Sequence, residues 1–200
     1  MSNVPLMFQP LVKYVDFQGR ARRSEFWLWV LFRIVLGMVT GAFVGTAVFS
    51  SLGPLISNPH MDPDVFMQHY MASVGPIFPL IQLINLGLLL PSIAVGVRRL
   101  HDIGRSGWWW CLPIAAAIVS IILFVILGGA QIFSVAGHTD SMSDAEGAKF
   151  AFGIMGTLLL CMLLVLVAEI VMLVFYVTEG KRGPNRFGPD PKGEALNTTP

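Results

Sequence analysis

The sequence predicts an all-α, polytopic membrane protein: four transmembrane helices with both termini cytoplasmic. Three observations carry that prediction. Hydrophobic residues make up 54% of the 200-residue chain and charged residues only 12%, against roughly 25% charged in an ordinary soluble domain. Four apolar segments, at about 26–49, 74–97, 108–127 and 154–176, are long enough to span, since a helix needs about 20 residues to cross a bilayer. Basic residues avoid two of the three connections between these segments. Lys13, Arg20, Arg22, Arg23 and Arg33 accompany the first span, Arg98, Arg99 and Arg105 the second connection, and Lys181, Arg182, Arg186 and Lys192 the C-terminal tail. The other two connections hold Lys149 alone, with Asp62, Asp64, Asp140, Asp144 and Glu146. The positive-inside rule then puts both termini and the second connection in the cytoplasm.

The elements follow in order. Residues 11–20 alternate Leu11, Val12, Val15 and Phe17 with Lys13, Asp16 and Arg20, which predicts a short interfacial helix leading into the first span. Arg22-Arg23 before Phe26 resembles a twin-arginine signal only superficially. The apolar run is too long for a signal core and no small-residue cleavage site follows, so no cleavable signal is expected. In the first outer connection, 51–73, Asp62-Pro63 is a helix start, with Phe66, Met67, Tyr70 and Met71 behind it at helical spacing. In the second, 128–153, Ser143 and Glu146 form a capping box for a helix running into the fourth span. Residues 1–192 form one membrane domain, and 193–200 read as a disordered tail.

Tryptophan prefers the headgroup level, so Trp27, Trp29, Trp108, Trp109 and Trp110 are expected in the interfacial belt. Cys111 and Cys161 fall in different spans, at depths roughly 15 Å apart by helical rise. That separation excludes a disulfide and makes both packing residues. The outer residues His60, Met61, Asp62, Met67, His69 and Met71 include copper-type ligands. They lack tight ligand spacing, and no metal or other cofactor is expected.

Arg33 and Glu169 are the only Asp, Glu, Lys or Arg residues inside the spans. Both lie roughly 10–12 Å deep from the basic side at 1.5 Å per residue. Charges at that depth are costly and need a partner. Matched depth and opposite sign predict an Arg33–Glu169 ion pair joining spans one and four. Snorkelling of Arg33 and a proton or cation site at Glu169 are the competing readings. Gln82 and Asn85 can add polar contacts, and Pro91 can kink the second span.

Three clusters share the basic side: Tyr14 to Trp27, Arg98 to Trp109, and Asn185 to Pro191. Taken in order, with spans between them, these closely resemble domain of unknown function family 805, the YhaH-like bacterial inner-membrane proteins. The resemblance covers most of the chain. It implies a small polytopic inner-membrane protein and no particular reaction. The chain departs from shorter members in its two long outer connections.

Arginine's planar fork suits carboxylate or phosphate. Arg20, Arg22, Arg23, Arg98, Arg99, Arg105 and Arg186, with Glu25, His101, Asp102 and Asn185, therefore support two readings. Either the arginines meet local acids and clip the segments together, or surplus cations bind anionic lipid headgroups. His101-Asp102 has the elements of an oriented base, but no nucleophile or second metal ligand accompanies it. A non-enzymatic membrane protein is expected, with membrane lipids, another membrane protein or a second copy as partner and no nucleic acid. A small transporter or channel component using Glu169 and Arg33 is the alternative.

Overall fold

The computed structural model describes residues 4–57, 60–135 and 143–193. Among these no strand forms, and every regular element is helical. Four helices are long and apolar enough to cross a membrane: Arg23–Pro54, Ile77–Asp102, Gly107–Val135 and Asp144–Val177. All-α architecture with four such helices therefore stands as predicted.

Local signals placed several helix ends. Asp62 caps the helix Pro63–Val74 by accepting from the Asp64 N–H at 2.9 Å. Ser143 and Glu146 form the full capping box, with the Ser143 N–H donating to Glu146 Oε2 at 3.0 Å. The helix that starts there runs unbroken into the fourth span.

Four expectations change. Residues 11–20 do not form one interfacial helix. A single turn, Gln9–Val12, ends at Lys13, whose ψ of 47° leaves the helical region. The Asp16 carboxylate then accepts from the Gln18 N–H at 3.0 Å, a side-chain turn that competes with the helix. The second span begins at Ile77 rather than 74. The outer helix reaches Val74, and Pro76 offers no N–H to continue it. The third span does not stop near 127. It passes through a π-helical turn at Phe124–Gly128 and continues as Gly129–Val135. Finally, Trp29 is not in a lipid-facing belt. It is 2% exposed, and its indole N–H donates to Ser92 Oγ at 3.1 Å. Trp27 and Trp29 are two residues apart on a helix and point to opposite sides; Trp27 is the exposed one. The tail beyond Gly193 lies outside the described residues.

Packing is organised as two helical pairs. The first and second spans pack together, and so do the third and fourth. Within the second pair, Ser120 and Cys161 exchange bonds: each side chain donates to the other's carbonyl at 3.2 Å. Further out, Gln131 donates to Thr157 Oγ1 at 3.1 Å. Such small and polar contacts hold helices together where lipid removes the hydrophobic drive. Cys161 is thus the packing residue expected of it, while Cys111 is exposed, and both are free thiols. The compact core lies at the basic end, around Ala21, Phe26, Trp29 and Val95, with Tyr176 of the fourth span against it. Away from that end large apolar side chains such as Phe43, Leu83 and Met162 are exposed, as a bilayer-facing surface requires.

Candidate functional site

The site is built on an unfinished helix end. The last carbonyls of any helix have no partner within it. The second span ends at Asp102, and the other clusters supply what it lacks. The Ala21 N–H donates to the Arg98 carbonyl at 3.0 Å, and the Lys181 N–H to the Asp102 carbonyl at 2.9 Å. The Arg105 N–H closes on Leu100 O at 2.9 Å, a turn that Gly104 permits with a φ of +79°. Asn185 Nδ2 donates to His101 O at 2.9 Å. All three sequence clusters therefore meet at one helix terminus.

Asp102 is the hub of the side chains. Its Oδ1 accepts from Arg20 Nε at 2.9 Å, and its Oδ2 accepts from Arg99 Nη1. All three residues are buried. The remaining guanidinium donors go to backbone. Arg20 reaches the carbonyls of Gly183, at 2.6 Å, and Lys181. Arg99 reaches those of Tyr176, at 3.2 Å, and Thr178. Tyr176 and Val177 close the fourth span, so Arg99 satisfies its orphaned carbonyls as well. Arg22 donates to Pro191 O at 2.7 Å, and Arg23 to Val177 O at 3.4 Å beside a loose ion pair with Glu179.

Arg98 behaves differently. Its Nη1 lies 3.1 Å from Glu25 Oε1, with both side chains buried. That contact lacks hydrogen-bond geometry. Arg98 Nη1 and Nη2 and Glu25 Oε1 have no hydrogen-bond partner among the described residues.

His101 is held, not poised. Its Nδ1 lies 3.2 Å from the Gly19 carbonyl, which can only accept, so that nitrogen carries the proton. Its ring stacks on Phe187 at 3.9 Å between centroids with planes 5° apart. Arg186 lies over the other ring of that stack, 4.6 Å from the Phe187 centroid. Arg105 is exposed and sits over Trp109 and Phe175 at 5.4 and 5.2 Å. Asp190 closes the tail turn by accepting from the Gly183 and Lys192 N–H groups, each at 2.9 Å. Those backbone donors, Lys192 first, hold its carboxyl below the usual carboxylate range.

The structure does not make the Arg33–Glu169 ion pair. Arg33 Nη2 donates to Asn85 Oδ1 at 3.2 Å, within its own helical pair. Glu169 is exposed on the fourth span. Equal depth does not bring two helices into contact, and the two residues belong to different pairs. Among the described residues no group of three metal-ligating side chains gathers.

Sequence reasoning missed Gly180. A Cβ there would lie 2.0 Å from Asp102 Oδ2 and 2.6 Å from its Cγ. The signal was a Gly-rich turn beside a charge cluster, with nothing in it to say which carboxylate it meets. Gly180→Ala is expected to push Asp102 off its two arginines. The measurable result is a lower melting temperature in detergent, whereas Gly193→Ala, where a Cβ meets only ordinary contact, changes nothing.

Four membrane-length helices whose buried charges are gathered at one end define a helical membrane protein. Within that class the chain belongs to the family described as "Protein of unknown function (DUF805)", whose model matches residues 14–134. The match takes in the first two clusters and stops short of the third. Two Escherichia coli K12 proteins are similar over nearly their whole length. "Inner membrane protein YhaI" is 25% identical over 182 residues, 91% of each chain. "Inner membrane protein YhaH" is 26% identical over 184 residues, 92% of this chain and 93% of its own. No solved structure matches.

Proposed function

We propose that the protein is a multi-pass component of the bacterial inner membrane, with both termini in the cytoplasm, whose basic face holds anionic lipid headgroups. The relatives' inner-membrane names and the distribution of Lys and Arg support the placement. One observation carries the headgroup reading. Arg20, Arg98 and Arg99 are buried against the internal carboxylates of Asp102 and Glu25, yet Arg105, Lys181, Arg182 and Arg186 remain exposed around the same assembly, without a carboxylate partner among the described residues. The clip and the surplus are thus two sets of residues, one structural and one facing outward. The role is non-enzymatic: His101 and Asp102 are occupied in holding the helix end.

The test is native mass spectrometry of the protein in lipid discs of mixed phosphatidylglycerol and phosphatidylethanolamine. Enrichment of the anionic lipid is expected at low salt and loss of it at 1 M, where the screening length falls to about 3 Å. A cation near the surface contributes about 1 kcal/mol, so Arg182→Gln/Arg186→Gln is expected to cut enrichment roughly thirty-fold. Bulk lipid composition around the wild type, or enrichment that ignores both salt and the double variant, rejects the headgroup role. A stoichiometric second protein in its place would make the basic face an assembly surface.

A further inference from the structure

The chain ahead of the first span folds back along the helices instead of leading straight into them. Gly19 lies at the basic end of the second span, its carbonyl 3.2 Å from His101 Nδ1. Five residues earlier in the sequence, the Tyr14 hydroxyl donates to the carbonyl of Gly87. His101 and Gly87 are fourteen residues apart on that helix, about 21 Å. The turns that precede Tyr14 stay beside the spans. Leu6–Phe8 packs on the first span and Gln9–Val12 on the second. The Phe8 and Phe32 rings meet edge to face with centroids 5.7 Å apart.

The acceptor that Tyr14 finds is one the helix leaves free. A helical carbonyl takes the N–H four residues on. For Gly87 that residue is Pro91, which has none. Tyr14 supplies the missing donor from outside the helix, and Pro10 is buried close by in the same segment.

The outer side of the segment is apolar and uncovered. Leu6, Phe8, Leu11, Val12 and Val15 are exposed, Val12 at 58% and Val15 at 63%. Lys13 is the one charged side chain between residues 4 and 15, and its long stem can carry the ammonium back toward headgroups. This surface is continuous with the bilayer-facing side of the first span, where Leu31 and Val35 flank Phe32 and are exposed. Few backbone donors are left open. Pro5 and Pro10 carry none, and the N–H groups of Phe8, Gln9 and Lys13 close on the carbonyls of Pro5, Leu6 and Gln9.

We infer that residues 6–15 lie inside the leaflet at the basic end, where headgroups meet acyl chains, with Leu11 and Val12 against the chains and Tyr14 pinning the segment at the Pro91 break. The depth follows from the first span. Trp27 is exposed there and marks the headgroup level. Phe32 is five residues further along, about 7.5 Å deeper. Interfacial segments bury their apolar faces about 5–10 Å below the headgroups, so a ring seated on Phe32 is at that level. A helix lying flat on the surface, as the sequence suggested, would reach neither Phe32 nor Gly87. The inference needs a membrane at Trp27. It uses neither the side on which the termini lie nor any headgroup preference, so it and the basic-face reading can fail separately.

The experiment is spin labelling of the full chain in vesicles of phosphatidylethanolamine and phosphatidylglycerol. The background is Cys111→Ser/Cys161→Ser. Single cysteines replace Leu11 or Val12, with Val35→Cys as the bilayer reference and Arg182→Cys as the water reference. Oxygen concentrates in hydrocarbon and a nickel chelate stays in water. At Leu11→Cys and Val12→Cys the oxygen-to-nickel accessibility ratio is expected to match Val35→Cys and to exceed Arg182→Cys roughly tenfold. Tyr14→Phe is expected to narrow the spectrum of the Val12→Cys label as the segment loosens. In a Pro91→Ala background, whose new N–H takes the Gly87 carbonyl, Tyr14→Phe is expected to add no further narrowing. Labels at Leu11 and Val12 that read like Arg182→Cys overturn the inference. So do labels shielded from both probes, which would give this face to a second copy or another protein. A Val12→Cys spectrum indifferent to Tyr14→Phe rejects the pin.

Discussion

Asp102→Ala is expected to abolish accumulation of folded protein, because it strands two buried cations at once. Arg20 and Arg99 are almost fully enclosed, and each loses its only carboxylate. Removing one member of a buried ion pair costs about 3–5 kcal/mol, and here a single carboxylate serves two pairs. A typical domain has only about 5–15 kcal/mol in total. The carbonyls that also hold these guanidinium groups do not neutralise them. Size-exclusion chromatography of a fluorescent fusion in mild detergent gives the readout: a monodisperse peak for the wild type, and aggregate or no peak for Asp102→Ala. Asp102→Glu is not expected to rescue it, since Gly180 already leaves no room beside the carboxylate. A monodisperse Asp102→Ala protein melting with the wild type would show that the carbonyls alone suffice.

The second large effect is a contrast between one substitution and two. Arg98→Met leaves Glu25 buried without its cation, and is expected to destabilise by about 3–5 kcal/mol. Arg98→Met/Glu25→Leu removes both charges and fills similar volume, which for buried pairs is often neutral or stabilising. The geometry favours recovery in the double variant, because three polar atoms of this pair lack hydrogen bonds already. Thermal melting of both variants in the same detergent decides it. A double variant as unstable as the single would mean that the charges do more than face each other.

What the sequence revealed was what depends on near neighbours or on composition. The four spans follow from apolar length. The starts at Pro63 and Asp144 follow from caps a few residues wide. Two helix limits were misjudged for opposite reasons. Val74 is apolar and looks like span, but Pro76 separates it from the second span. Gly128-Gly129 looks like an end, but the apolar residues beyond it continue the third helix, with a π-helical turn taking up the irregularity. The clusters of the site were visible as motifs, and their mutual contact was not. Most partners of Arg20, Arg22 and Arg99 are backbone carbonyls, which every residue carries and no residue type announces. The Arg33–Glu169 expectation failed because the first and fourth spans meet at Phe26 and Tyr176, while further along Arg33 is taken by Asn85 of the helix it packs against and Glu169 is left exposed. Depth can be counted along a sequence, but which helices pack closely enough at that depth for two side chains to meet cannot.

The clasp formed by residues 178–191 also imposes an order on assembly. These residues are synthesised after all four spans. Until they leave the ribosome, Arg20 lacks the carbonyls of Lys181 and Gly183, and Arg99 lacks that of Thr178. A nascent chain with all four long helices made is therefore still open at its basic end, with Arg20 and Arg99 short of those carbonyls. Closure of the clasp therefore follows the last helix, and a chain interrupted before Thr178 keeps that end open however well its helices have formed.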